Sequence, residues 1–510
     1  MNTLPIGIQD FPTLRERGHV YVDKTHFIAP LLESGGYFFL SRPRRFGKSL
    51  LVSTLKAIFD GRKDLFVGLW LEGQHDFAVH PVIRLDFSRL DFSARSLEVS
   101  LLYSLQQSAA EYGLLLEQDT VRSAFEELIY KLSKQAKVVV LIDEYDKPIT
   151  DYLLEPDKRN AHQAILKSLY GVLKPMNPYL ELVFLTGVSK IGKLSLFSDL
   201  NNLQDISLST KYASICGYSR EEIEAGFSMY LTALASKFNL NLETLWQSIK
   251  HWYNGYSWDG INRLYCPFSF LLFLEQQQFK SYWYETGTPT LLLELIKAKQ
   301  LNPLEFEPKK IDDTPLVATA LDDIDPISLM FQTGYLTIEK LYSNFSGVRY
   351  DLTFPNFEVR FAFSRSLLGF YSLIVPSQIS GFANILQLAL ERLDWDGFFA
   401  AVNQVLAGIP YEIFRREEAY PHSLLHIMLL ATGFRTQSQV QTSLGRIDIL
   451  LETLTHQIIF EIKTSGTPED ALLQIEQNQY AAGLELPVVQ LGVVFSLEQK
   501  AFAAWLAKVP

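Results

Sequence analysis

With 510 residues, 48% of them hydrophobic and 20% charged, the chain has the make-up of a folded protein of roughly two to four domains. Its net charge of −11 excludes wholesale coating of nucleic acid, which is phosphate neutralisation by Lys and Arg, and confines any such contact to a local patch. Two isolated cysteines, Cys216 and Cys266, exclude a disulfide framework and a CxxC zinc site; with no secretory leader at the start and no apolar run near the ~18 residues of a membrane span, a cytoplasmic protein without membrane contact is expected.

The first chemical signal follows the apolar run Tyr37-Phe38-Phe39-Leu40, read as a strand, and precedes helix formers over residues 50–58. Between them lies Arg42-Pro43-Arg44-Arg45-Phe46-Gly47-Lys48-Ser49, the second half of a G-x-x-x-x-G-K-[ST] loop with Arg42 where the first Gly is expected. That chemistry needs a loop whose amides curl round a β-phosphate, a Lys for the β/γ-phosphates and a hydroxyl on Mg²⁺ at a helix N-terminus. Gly47, Lys48 and Ser49 meet these needs, and Arg45 and Phe46 complete the phosphate loop.

Downstream, short strands alternate with helices: a strand over 82–87, helices over 96–113 and 121–135, then Val138-Val139-Val140-Leu141-Ile142 ending in Asp143-Glu144. A helix over 159–173 precedes the strand 182–186. This order predicts a parallel sheet with helices on its faces. An apolar strand ending in two carboxylates places Asp143 to hold the Mg²⁺ shell and Glu144 to orient or deprotonate a water, so ATP or GTP binding is expected. Thr186 and Ser189, just past the next strand, are candidate γ-phosphate sensors. Arg44, Arg45 and Lys190 are cations that could neutralise transition-state charge, and the arginine-finger role is left unassigned.

Ser219 followed by Glu222 reads as a capping box opening a helical lid. The aromatic stretches 252–256 and 282–287 are expected to pack lid on core. Residues 299–325 read as a surface connector, with a further boundary at 376–380. The domains expected are a P-loop core over 1–215, a lid and connector over 216–375, and a C-terminal domain over 376–510.

That last domain carries Gly445-Arg446-Ile447-Asp448, a polar turn at 452–456, and Phe460-Glu461-Ile462-Lys463, read as a β-hairpin. Glu461 and Lys463, two apart on a strand, share a face. D-x12-E-x-K suits metal-assisted phosphodiester hydrolysis: Asp448 and Glu461 are hard oxygen ligands for Mg²⁺, Lys463 positions or activates water, and Glu417 or Glu418 before a helix over 419–430 adds a carboxylate.

The blocks R-P-R-R-F-G-K-S-L, Tyr21-Val22-Asp23-Lys24-Thr25 and L-I-D-E-Y-D-K-P resemble the AAA-ATPase-like proteins that carry a C-terminal PD-(D/E)XK nuclease-like domain. So do Trp252-Tyr253-Asn254-Gly255-Tyr256, Tyr282-Trp283-Tyr284-Glu285-Thr286-Gly287, Phe331-Gln332-Thr333-Gly334-Tyr335-Leu336 and Phe354-Pro355-Asn356-Phe357-Glu358-Val359, which spread the likeness over nearly the whole chain. The resemblance makes Arg42 usual. It implies an α/β fold, a P-loop NTPase parallel sheet with a helical lid followed by a small α/β nuclease-like domain, and a site role for Gln474 on the helix read over 468–482. Ile447 replaces the nuclease motif's Pro, and the helix has Q-x5-Y (Gln474, Tyr480) in place of Q-x3-Y.

Residues 376–510 hold eight basic against fourteen acidic residues, a net of −6, whereas a surface that tracks DNA is normally basic. The expectation is an ATPase coupled to a metal-dependent nuclease acting on DNA or RNA. Its alternative is an ATPase switch whose C-terminal domain is a non-catalytic binding module. Assembly as a homo-oligomer, one subunit lending binding surface to another, is left open.

Overall fold

A computed structural model of the chain describes residues 3–198, 200–285, 290–299, 309–312, 324–345, 347–372, 374–408, 419–442 and 444–510. The chain divides into two compact units, 1–287 with 308–356 and 288–307 with 357–510. The first therefore holds both the expected core and most of the expected lid, and the second, beyond its 288–307 segment, runs from Phe357, ahead of the 376 boundary. Among the described residues no single helix is long and apolar enough to cross a membrane.

The first unit is built on a five-stranded parallel sheet in the order β2-β3-β4-β1-β5, with β1 Gly36–Ser41, β2 Val82–Asp86, β3 Val138–Asp143, β4 Leu180–Gly187 and β5 Leu203–Asp205. The uninterrupted apolar runs of β1 and β3 reflect burial on both faces, as helix-covered parallel strands require. Helices start where the sequence supplies caps: Ser96 and Thr120 accept from backbone amides three residues on. Strand β1 feeds helix α1 (Lys48–Phe59) through the P-loop.

The lid opens as expected. Ser219 and Glu222 form a reciprocal capping box on helix α2 (Arg220–Lys237), and Glu222 also takes the buried Lys24 ammonium at 2.6 Å. A separate apolar core joins this helix to Leu242–Tyr253 and Pro267–Gln276, flanking the short hairpin β6 (Asn254–Tyr256) and β7 (Leu264–Tyr265).

The expected connector over 299–325 contains strand β8 (Lys309–Asp312), which pairs with β10 (Gly347–Thr353) beside β9 (Thr337–Asn344). Lys-Lys-Ile-Asp has no strand alternation of its own; its pairing is long-range and invisible to local pattern. Helix α3 (Pro326–Thr333) precedes β9 and is capped by Asp325.

The second unit carries a mixed five-stranded sheet, β11-β12-β13-β14-β15: Arg435–Gln441, Arg446–Glu452, Gln457–Lys463, Val488–Ser496 and Ala501–Lys508. Only β13 and β14 are parallel. Pro376, expected at a boundary, is the first residue of the helix Pro376–Arg392, a position where its missing N–H costs nothing. Helix α4 (Ala419–Leu430) precedes the sheet, and helix α5 (Pro468–Gln477) joins β13 to β14.

Candidate nucleotide and metal sites

Two loop residues before α1 adopt left-handed backbone, Arg45 at φ 71° and Gly47 at φ 94°, the latter without a Cβ to strain. The buried Lys48 Nζ donates to the carbonyls of Arg42 at 2.9 Å and Pro43 at 3.0 Å, which stores the ammonium on the inner rim of the loop. Burial pulls Lys48 below its ordinary value, and the nearby carboxylates of Asp143, Glu144 and Asp146 oppose that pull.

The strand order inserts β4 between β1 and β3, so the end of β4 lies between the loop and the acidic pair. There Thr186 Oγ1 donates to Asp143 Oδ1 at 2.5 Å, and Glu144 N donates to the same oxygen at 3.1 Å. Glu144 itself takes a left-handed backbone, φ 54°, a strained choice for a non-Gly residue of the kind concentrated at working sites. Burial raises its carboxyl above the ordinary value, against the pull of Lys48.

The two sensor candidates divide. Thr186 is engaged with Asp143, whereas Ser189 is buried and donates to Asp146 through both N and Oγ at 2.7 Å. Lys190, named with the charge-neutralising cations, is buried and spans 2.9 Å to Asp205, which also takes Lys193 at 2.5 Å.

A cavity of about 480 Å³ opens on the loop, lined by residues 44–51 and Glu144. Its other walls come from Ile8 and Gln9, from residues 20–22, and from residues 215–218. Sequence reasoning missed these walls; apart from the 21–25 block quoted for its likeness, they carry no charged or Gly-rich signature. Arg45 lines the cavity and lays its guanidinium over Phe268, 4.6 Å from the ring centre. The Phe46 ring is buried edge-on against Tyr256 and Trp258, so a nucleotide contact from this residue falls to its backbone.

The expected lid-on-core packing of the aromatic stretches is visible in Tyr256 on Phe46 and in Trp283, whose indole N–H donates to Arg44 O at 3.1 Å. Cys216 and Cys266 are buried, and the Cys266 thiol donates to Arg45 O at 3.7 Å.

In the second unit the hairpin β12–β13 pairs from Glu452 opposite Gln457 to Ile449 opposite Phe460 and then parts. Past that point the Asp448 carboxylate takes over, accepting from Ile462 N at 2.9 Å. Across β12, Gln439 at φ 51° interrupts the ladder opposite Asp448, and its amide is 3.1 Å from His422 Nδ1. His422 Nε2 lies 2.8 Å from Asp448 O, which ties α4 to the strand at this residue. A lone histidine on an apolar helix gave no sequence signal for this.

Glu461 is 2% exposed, and its Oε2 has no hydrogen-bond partner among the described residues. Burial first, and then the negative charge of Asp448, push its carboxyl up to about 7. Lys463 Nζ is 3.5 Å from Glu461 Oε1 and donates to Gln474 Oε1, so Glu461 and Lys463 meet as the spacing implied and Gln474 joins them as the resemblance implied. Glu417 and Glu418 lie outside the described residues. Among the described residues no group of three or more His, Cys, Asp or Glu side chains forms a metal cluster.

Helix α5 ends at Gln477, short of the expected 482, and Gln479 turns left-handed at φ 49°. The turn carries Tyr480 into the core, where its hydroxyl accepts from Arg446 N at 3.1 Å. The Q-x5-Y spacing therefore gives Tyr480 a bracing role on β12. Gly492, paired with Glu461 across β13–β14, is where α5 comes closest: a Cβ there would sit 2.2 Å from Pro468 O.

Residues 5–197 match the family model described as a predicted AAA-ATPase, and residues 416–505 match that of the PD-(D/E)XK nuclease superfamily. The chain is also similar to an uncharacterized protein in the vnfD 5′ region of Azotobacter chroococcum mcd 1. The two are 36% identical over 520 residues, covering 99% of this chain and 98% of that one.

Proposed function

This chain belongs to the family of AAA-ATPase-like proteins with a C-terminal PD-(D/E)XK nuclease-superfamily domain, and from that premise we propose that it hydrolyses ATP and cleaves DNA or RNA with a divalent metal, cleavage being governed by the nucleotide state.

The nucleotide half rests on the cavity at the loop, which Lys48, Ser49 and Glu144 line, and on Asp143, next to Glu144 at the end of β3. Lys48 would carry the charge for the β/γ-phosphates, Ser49 and Asp143 would supply oxygen ligands to Mg²⁺, and Thr186 holds Asp143 in place. Glu144, its proton affinity raised by burial, orients and deprotonates the attacking water. Phosphate release lost in Glu144→Gln, with ATP binding kept, is the expected result; turnover unchanged in that variant would reject the assignment.

The nuclease half is carried by one observation, the buried Glu461 with an oxygen that no described residue satisfies, beside the charge of Asp448. A buried carboxylate in that state is a site for a cation. Asp448 and Glu461 would hold Mg²⁺, which needs few protein carboxylates because it keeps several waters. When bound, the metal lowers the pKa of a ligated water and screens the phosphodiester charge. Lys463, steadied by Gln474, positions the attacking water. Cleavage of a DNA and RNA panel with Mg²⁺ or Mn²⁺, lost in Asp448→Ala, tests this half.

The acidic character of residues 376–510 and the absence of a three-ligand cluster among the described residues favour a second reading, a binding module that has lost catalysis. Calorimetric titration of Mg²⁺ or Mn²⁺ into the full chain and its Glu461→Ala variant separates the two. A metal site lost in the variant supports the nuclease, and no metal uptake by either supports the module.

A further inference from the structure

The first glycine of a phosphate-binding loop is a place for a residue without a side chain, yet here it is Arg42, fully buried. Its side chain does not run toward the cavity. Nη1 donates to Ser41 O at 2.9 Å and Ser207 O at 2.8 Å; Nη2 donates to Tyr212 O at 3.1 Å and Ala213 O at 3.4 Å. Its flat face lies on Trp258, 4.1 Å from the ring centre. A buried guanidinium bonded to carbonyls and an aromatic face is a rigid, planar brace that no lysine could duplicate.

The carbonyls it holds continue into the far wall of the cavity at residues 215–218, and Gly217 N donates to Phe46 O at 3.3 Å, a second tie from that wall to the loop. Arg42 also presents its own carbonyl to Lys48 Nζ. Arg42 thus supplies one of the two carbonyls on which the phosphate-binding lysine rests, the other being Pro43 O, and its side chain helps link the loop to the opposite wall.

We propose that Arg42 is a positioning residue for the nucleotide, so that restoring the glycine of the consensus loop weakens binding. This rests on the reading of the cavity as a nucleotide site. With glycine at 42 the loop gains backbone freedom and loses the guanidinium's bonds to 207–213; the backbone bond from residue 42 N to Gly187 O remains, and the carbonyl that Lys48 rests on is held less firmly. The same logic makes Arg42→Lys an intermediate: it keeps the charge but has one nitrogen where two are used, and no plane to lie on Trp258.

The test is titration of fluorescent ATP into the full chain and its Arg42→Gly, Arg42→Lys and Lys48→Ala variants, with thermal melting of each without nucleotide. Arg42→Gly is expected to bind about thirty-fold more weakly, the order set by losing charged hydrogen bonds in a buried site. Arg42→Lys is expected to fall between it and the parent chain while melting close to the parent. Arg42→Gly binding within threefold of the parent, or Arg42→Lys binding as the parent does, overturns the inference. Where Arg42→Gly does not fold, Arg42→Lys alone decides. If the parent chain binds no ATP, the nucleotide reading itself fails and takes this inference with it.

Discussion

Glu461→Gln should make the metal-free protein more stable while removing its metal site. The fold holds the Glu461 carboxyl near pKa 7 against an ordinary 4.5, chiefly because it is buried and then because Asp448 is close. A shift of that size corresponds to about 3 kcal/mol of cost for keeping the group ionised, as an upper bound. Since the folded state binds the proton more tightly than the unfolded state, the native protein gains from this group below pH ~4.5 and loses that gain as pH rises through ~7. Glutamine has no charge to desolvate. It also gives up the 3.5 Å ion pair with Lys463, which returns part of the gain. The net expectation is a stabilisation of about 1–3 kcal/mol at pH 8, a rise of a few degrees in melting, shrinking toward zero at pH 5. Calorimetric melting of the full chain in EDTA at both pH values measures it, and titration with Mn²⁺ reads the metal site. A variant less stable than the parent at pH 8, or equally stabilised at both pH values, would show that ionising Glu461 does not burden the fold.

Two further substitutions probe how the sites are built, and a third serves as a control away from them. Gly492→Ala puts a methyl 2.2 Å from Pro468 O, so α5 must retreat with Gln474; we expect a loss of about 2 kcal/mol or more and weaker metal-dependent cleavage. Gly381→Ala, on an exposed helical turn with open space around it, should instead be neutral or slightly stabilising by about 0.5–1 kcal/mol. Thr186→Val removes the hydroxyl that holds Asp143. Hydrolysis of Mg-ATP should drop about tenfold, with metal-free nucleotide binding unchanged, as read by phosphate release and by titration in EDTA.

The sequence was most legible where a rule is local. Buried parallel strands announce themselves by unbroken apolar runs, and β3 with its acidic end appears where Val138 to Asp143 foretells it. The capping box at Ser219 and Glu222 is equally local. Pairing by twos put Glu461 and Lys463 on one face, and the folded hairpin keeps them there.

What escaped was long-range. Strand β8 forms only because β10 is beside it. The His422 link to Asp448 spans two elements, and the Arg42 brace reaches a segment far along the chain. Tyr480 was read as part of a helix motif, yet the left-handed turn at Gln479 sends it into the core. A residue's type fixes the bonds it can make; only the fold decides the partner.

The central claim is that the two sites serve one activity, and the most direct measurement is cleavage of a nucleic-acid panel by the full chain in Mg²⁺, with and without ATP, beside Lys48→Ala and Asp448→Ala. The account predicts cleavage that depends on metal, changes with ATP, loses its ATP response in Lys48→Ala and disappears in Asp448→Ala. No cleavage under any condition, or cleavage that Asp448→Ala leaves intact, would contradict it.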